Sequence, residues 1–120
     1  MADSRTWLDE VSDGRLDLRA TVRGWTTITR PSGSCDEAGY SFAYDVRTRT
    51  HDALRAAGVE PGAYDVVVIY FARTSSQTAC AWAGLGGGSA VWLAAYASLG
   101  VIVHELGHTF GLGHASRLAC

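Results

Sequence analysis

The feature that most constrains this chain is a histidine-rich pattern in its last seventeen residues. It begins at His104, reads His-Glu-Leu-Gly-His-Thr-Phe-Gly-Leu-Gly-His, and contains three of the four histidines of the protein. Residues four apart in an α-helix lie one turn apart on the same side, so His104 and His108 would reach a single ion from one helical face. Neutral imidazole is a good zinc ligand, and the spacing therefore predicts a helix through this pair and a zinc site on it.

The residues between and after this pair predict a catalytic rather than a structural zinc site. Gly111 stands where the helix would have to end, because glycine adopts the left-handed conformation that such an ending needs. The resulting turn would bring in His114 as the third ligand, and three protein ligands leave the fourth position to water. Glu105 lies off the line of the two helical histidines, so we expect it to hold that water and accept its proton as the general base.

The alternative interpretation is a pair of histidines that merely completes the polar face of an amphipathic helix. On a helical wheel the apolar residues of this segment fall within one arc of about 100°. They are Leu99, Ile102, Val103, Leu106 and Phe110. His104 and His108 lie outside this arc, so the pattern favours histidines that face a cleft over histidines in the core.

The extended pattern resembles the zinc-binding motif of the metzincin clan of endopeptidases. Its flanks, over residues 103–116 and on to Cys120, are similar to the gametolysin-type family, peptidase M11. Residues 7–16 with 22–25, and residues 80–85 with 91–93, also resemble segments of that family. The resemblance implies a secreted zinc endopeptidase that cleaves extracellular or cell-wall proteins, with Zn²⁺ as its cofactor and a polypeptide as its substrate.

The resemblance also assigns a role to the strand just before the zinc helix. In the metzincin clan an edge strand at this position pairs with an extended substrate, whose backbone adds to the sheet. This implies a substrate-binding edge strand at Val91, Trp92 and Leu93. The alternative, that Trp92 and Trp82 are ordinary core aromatics, stays open.

The chain departs from the metzincin pattern after the third histidine. Metzincins carry a methionine turn beneath the zinc, whereas the sole methionine here is Met1 and only six residues follow His114. We therefore expect residues 1–120 to be a partial catalytic domain, an upper zinc-bearing subdomain without the lower one. No apolar run follows Met1, so no signal peptide is expected here. A catalytically incompetent zinc-binding fragment or module is the alternative function.

Composition narrows the class of protein and its partners. A chain of 120 residues with 48% hydrophobic residues predicts one soluble globular domain. The net charge of −2 comes without a basic run, which argues against nucleic acid as a partner. The longest apolar run, residues 66–72, is far too short to span a membrane. The oligomeric state stays open.

The three cysteines are Cys35, Cys80 and Cys120. An odd count suggests one disulfide and one leftover thiol, and the sequence leaves the pairing open. The export implied by the resemblance favours a disulfide, while three free buried thiols are the alternative. Cys120 is a poor candidate zinc ligand, because His114 already completes the trio and a thiolate would close the site to water.

Local patterns predict an α/β sandwich with a twisted mixed sheet, as in a metzincin-like upper subdomain. Helices are expected at residues 4–11, at 41–57, and from an N-cap at Ser98 into the zinc motif near the C-terminus. Strands are expected at residues 16–27 and 64–72, and a hairpin with arms 79–85 and 90–96. The long middle helix carries His51, which we interpret as a surface group.

Overall fold

The computed structural model describes residues 2–29, 31, 40–71, 82–94 and 98–114. All three cysteines lie outside these ranges, so the disulfide predictions are not addressed. The helices are α1 (Ala2–Val11), α2 (Ser41–Ala56) and α3 (Leu99–Thr109), with a short 3₁₀ turn at Pro61–Ala63. The strands are β1 (Val67–Phe71), β2 (Gly84–Gly87) and β3 (Ala90–Ala94). The described part of the chain is therefore mixed α/β, as the sequence predicted.

The sheet of the described residues has the strand order β1–β3–β2. β1 runs parallel to β3, and β2 runs antiparallel to it. A two-residue turn joins β2 to β3, and Gly88 in this turn has φ +59°, a conformation that glycine adopts at little cost. The hairpin prediction is thus confirmed, while residues 79–81 and 95–96 of its predicted arms lie outside the described residues.

The position of β3 corrects the prediction about the substrate-binding strand. β3 lies between the other two strands and each of its residues is buried, so its backbone hydrogen-bonding groups are engaged on both sides. The assignment of Val91, Trp92 and Leu93 to an edge strand is therefore wrong. β2 has a neighbour on one side only among the described residues, so the described edge beside α3 belongs to β2.

Two apolar clusters lie on opposite faces of the sheet, because successive side chains of a strand point to opposite faces. Ala90 and Trp92 pack with Ala43 and Val46 of α2. Val91 and Leu93 of the same strand pack instead with Leu8 of α1 and Leu106 of α3. The sheet is thus covered by α2 on one face and by α1 with α3 on the other, which is the predicted sandwich. Trp92, which is 4% exposed, is a core aromatic.

Residues 16–27 form no strand, which contradicts the prediction from their alternating pattern. Leu16 and Leu18 pack against the cluster on the α3 face, whereas Val22 and Trp25 are 82% and 76% exposed. An alternating pattern favours an extended chain with one apolar side, but a strand also needs a partner backbone. No described strand pairs with this segment.

The helix predictions in the first half of the chain are confirmed with small shifts of their ends. α2 ends at Ala56, and Gly58 follows with φ +80°. The N–H of Val59 donates to the carbonyl of Leu54 at 2.9 Å, which closes the helix in a Schellman motif. His51 on α2 is half-buried rather than a plain surface group, and its Nε2 is shielded from solvent without a described partner. None of the described helices has the length and apolar character needed to cross a membrane.

Candidate metal centre and active-site cleft

Helix α3 is fixed at its start and along its buried face. The hydroxyl of Ser98 accepts a hydrogen bond from the N–H of Val101 at 3.3 Å, as expected of an N-cap serine. Leu106, which is 1% exposed, anchors the middle of the helix in the core. His104 and His108 lie about 160–200° around the axis from Leu106 and therefore project away from the core.

The end of α3 turns the chain back on itself through a Schellman motif. Gly111 has φ +85°, its N–H donates to the carbonyl of His108 at 3.1 Å, and the N–H of Leu112 donates to that of Gly107 at 3.1 Å. A side chain at the φ of Gly111 would be strained, so glycine suits this reversal. The reversal returns His114 to the face that His104 and His108 occupy.

The three histidines of the motif converge in the structure. One ring nitrogen from each of His104, His108 and His114 lies within 4.8 Å of the other two. The Nε2 atoms of His104 and His108 are 3.2 Å apart. The ring of His114 has its centroid 5.2 Å from that of His104 and 4.8 Å from that of His108. Sequence positions up to ten residues apart thus supply donors to one small volume.

This donor set fits zinc. Ligands at 2.0–2.1 Å around a tetrahedral zinc ion are roughly 3.3 Å from one another, close to the observed 3.2 Å between His104 and His108. His108 Nδ1 lies 2.7 Å from the carbonyl oxygen of Leu112, which can only accept, so Nδ1 is the protonated nitrogen of the neutral ring. Its Nε2 therefore presents a lone pair to the other two rings. A backbone carbonyl that fixes the tautomer is a common support of a metal-binding histidine.

Glu105 lies beside this cluster rather than in it. Its side chain is largely buried, and its Oε2 lies 4.0 Å from Nε2 of His108. On the helix it is rotated about 100° from His104 and 60° from His108, which places it on the side of the motif facing β2. The carboxylate is therefore a neighbour of the three histidines and not a fourth metal ligand.

A cleft of about 320 Å³ opens beside Glu105, where β2 meets α3. Its remaining walls are His108, His114, Tyr40 and the whole of β2 (Gly84–Gly87). The strand lies directly on α3: a Cβ at Gly86 would be 2.3 Å from the carbonyl oxygen of Glu105, and one at Gly84 would be 2.8 Å from its Cγ. Only glycine at both positions allows this approach.

Sequence reasoning missed the role of β2. The predicted hairpin left residues 86–89 to the turn, yet Gly86 belongs to the strand and lines one side of it together with Gly84. A glycine at every second position before the turn was the available signal, because such spacing marks a strand that another backbone approaches closely.

The apolar stripe predicted for α3 is only partly buried. Leu106 is in the core and Ile102 packs against it, whereas Leu99 and Phe110 are 40% and 45% exposed. The close contact with β2 turns the buried side of the helix towards Val101 and Glu105, and away from the two ends of the stripe.

Comparison with known families gives a match to a family of peptidases. Residues 61–119 match the model of Peptidase M66, a family of zinc metalloproteases, over just under half of the chain. The assignment to the gametolysin type, peptidase M11, is not supported. Neither a curated protein nor a solved structure matches the chain. On the family match and the convergence of His104, His108 and His114, the chain is a zinc metalloprotease whose residues 61–119 are similar to Peptidase M66.

Proposed function

We propose that the protein is a zinc-dependent endopeptidase of the metzincin type that hydrolyses peptide bonds of extracellular or cell-wall proteins. In this proposal His104, His108 and His114 hold the zinc ion and Glu105 is the general base. The observation that carries it is the convergence of three imidazole nitrogens within 4.8 Å beside a carboxylate in the wall of an open cleft.

The proposed chemistry divides between the metal and the protein. Zinc, when bound, lowers the pKa of a water ligand towards neutrality and polarises the carbonyl to be cleaved. Glu105 Oε2 is 4.0 Å from the Nε2 of His108, so a water molecule beside that ring is within reach of the carboxylate. Glu105 accepts the proton of this water and passes it to the amine that leaves. His108 keeps its orientation through the hydrogen bond to Leu112.

In this proposal the strand that binds the substrate is β2 rather than β3. β2 lies on α3 and lines the cleft along its full length, from Gly84 to Gly87. An extended peptide that adds to such an edge would pass the histidines with its backbone bonded to β2. Among the described residues no strand pairs with β2 on the side away from β3. The polypeptide substrate is therefore recognised first by its main chain, which suits an endopeptidase. We also propose that the protein is secreted, because the family match suggests secretion.

Cleavage of casein, an unstructured protein, tests the proposal. We expect cleavage by the zinc-loaded chain, loss of cleavage with a chelator, and recovery when zinc is restored. Glu105→Gln should keep one zinc per chain, measured by plasma emission, and lose at least 10²-fold in turnover, the typical contribution of a general base. Glu10→Gln, at an exposed carboxylate on α1, is the matched control and should retain full activity.

Two results would contradict the proposal. Full turnover by Glu105→Gln would remove the general-base role. A wild-type chain that binds zinc stoichiometrically and cleaves no polypeptide would instead be the non-catalytic zinc-binding module that the sequence left as the alternative.

A further inference from the structure

A row of aromatic and basic side chains on helix α2 begins in the cleft beside Glu105 and has no role in the chemistry described above. Tyr40, which directly precedes α2, lines this cleft together with His114. Each residue of a helix advances by about 100°, so positions 40, 44 and 47 fall within about 60° of one another. Tyr44 and Arg47 therefore continue from Tyr40 along one face of α2, and we call these three residues the α2 row.

Arg47 differs from the other two arginines of α2 in its lack of a described partner charge. Arg49 pairs with Asp45, at 2.8 Å between Nε and Oδ2. Arg55 pairs with Glu60, at 3.4 Å between Nε and Oε2. Among the described residues no carboxylate forms an ion pair with Arg47. Because Arg47 is half-buried, its cation loses part of its water without gaining a described partner, and an incoming anion would supply one.

The ring of Tyr44 holds the guanidinium of Arg47 in place. The Cζ atom of Arg47 lies 5.7 Å from the centre of this ring, within the range of a cation–π contact. The same ring meets the buried indole of Trp92 edge-on, with 6.3 Å between the ring centroids. Helical side chains tilt towards the N-terminus, so the contact with Tyr44 brings the guanidinium back towards Tyr40 and the cleft. Since an aromatic ring rather than a carboxylate holds Arg47, its charge is positioned without being neutralised.

The two faces of β2 indicate how a substrate side chain reaches the α2 row. Gly84 and Gly86 face α3, whereas Leu85 packs with the cluster on the α2 face of the sheet. A peptide that adds to β2 would send alternate side chains to the same two sides. The guanidinium is about 5–10 Å from Tyr40 along α2, a distance that an extended chain spans in roughly two or three residues. A substrate side chain that lies close to the cleaved bond, but not next to it, can therefore reach Arg47.

We propose that the α2 row is a specificity subsite in which Arg47 binds the carboxylate of a substrate aspartate or glutamate, about two to four residues from the cleaved bond. This inference rests on the proposed endopeptidase function. A guanidinium matches a carboxylate through two parallel N–H···O bonds, so an acidic side chain gives Arg47 both hydrogen-bond acceptors and a counter-charge. Tyr40 and Tyr44 line the path from the cleft to this charge.

The test uses quenched fluorescent peptides of one neutral sequence, in which a single Glu, Gln or Lys is placed at each position around the cleaved bond in turn. For wild type we expect Glu to exceed Gln about fivefold or more in kcat/KM at one of these positions, and Lys to fall below Gln. High salt should shrink this preference, because Arg47 is only half-buried. Arg47→Gln should bring the Glu and Gln peptides to within about twofold of each other. Arg23→Gln, at an exposed arginine outside α2, is the matched control and should keep the wild-type preference.

Charge reversal separates a lost subsite from a disturbed helix. Arg47→Glu should prefer Lys to Glu at the same position, and a loosened α2 cannot produce such an inversion. Cleavage of the neutral Gln peptide and a zinc content of one per chain should match wild type in both Arg47 variants. The proposal would be overturned if Arg47→Gln kept the full preference for Glu, or if Arg47→Glu kept the wild-type order of the three peptides.

Binding keeps this inference separate from the proposed function. Peptides that carry a hydroxamate, a zinc-chelating group, at either end fix the register without being cleaved, and calorimetry measures their affinity. On the zinc-loaded wild type the Glu peptide should bind about fivefold more tightly than the Gln peptide at the favoured position, and Arg47→Gln should remove the difference. A wild-type chain that binds in this order but cleaves no polypeptide would defeat the endopeptidase proposal and support the acidic subsite. Equal affinity of the Glu and Gln peptides at every position would overturn the subsite, whatever the turnover.

Discussion

Gly86→Ala is the perturbation that most sharply tests the packing of β2 on the zinc helix. A Cβ at this position would lie 2.3 Å from the carbonyl oxygen of Glu105, 2.9 Å from its carbonyl carbon and 3.0 Å from its Cα. All three neighbours are backbone atoms of a helix, so none can rotate aside. Normal contact distances of about 3.5 Å require β2 and α3 to separate by roughly 1 Å.

The magnitude follows from the cost of such a separation. Overpacking a well-packed interface costs about 1–3 kcal/mol, and a clash with rigid backbone belongs at the upper end. We therefore expect Gly86→Ala to lower the free energy of unfolding by about 2–3 kcal/mol, which is roughly 8–15 °C in Tm for a domain of this size. Gly87→Ala is the matched control, because nothing lies within 4 Å of its Cβ.

Urea unfolding of both variants, with and without zinc, measures the effect. Gly87→Ala should be neutral or slightly stabilising, because alanine reduces the freedom of the unfolded chain. Gly86→Ala should shift the midpoint to lower urea without changing the m-value. If the two variants unfold within about 0.5 kcal/mol of each other, the contact between β2 and Glu105 is not as described.

Three further perturbations probe the site and the rest of the fold. Gly84→Ala should keep zinc but lose about 10–100-fold in kcat with little change in KM. The added methyl group would lie 2.8 Å from Glu105 Cγ and displace the carboxylate. An unchanged kcat would contradict this prediction. His114→Ala should weaken zinc at least tenfold in a chelator competition, since it removes one of three donors; equal affinity would remove this ligand. Burial, and then the positive charges of nearby arginines, lower the pKa of His51 below 6.5. The unfolded chain therefore binds more protons, and stability falls as the pH drops below 6.5 through the folded-state pKa. His51→Gln should flatten this decline in urea unfolding between pH 7 and 5, and identical pH profiles would refute it.

The helices could be predicted from sequence because residues close in sequence determine where each helix ends. Ser98 caps α3 through the N–H of a residue three positions on, and Gly58 and Gly111 adopt the positive φ that ends α2 and α3. The spacing of His104, His108 and His114 depends only on a helix and the reversal that follows it. The geometry of the site was therefore accessible from a short stretch of sequence.

The pairing of strands was not accessible in the same way. Residues 16–27 alternate like a strand, yet no described strand pairs with them, and β3 lies in the middle of the sheet rather than at its edge. Strand order depends on which distant backbone supplies hydrogen bonds, and side-chain patterns do not encode it. β2 was missed because its glycines carry no hydrophobic pattern, and their meaning appears only beside the backbone of Glu105.

We propose that three imidazoles bind one zinc ion and leave a position for solvent. X-ray absorption at the zinc edge of the loaded chain measures the ligands directly. We expect three imidazole nitrogens and one further light atom at about 2.0–2.1 Å, and the same spectrum for His51→Gln, which removes the one histidine outside the motif. A sulfur shell at about 2.3 Å, or fewer than three imidazoles, would contradict it.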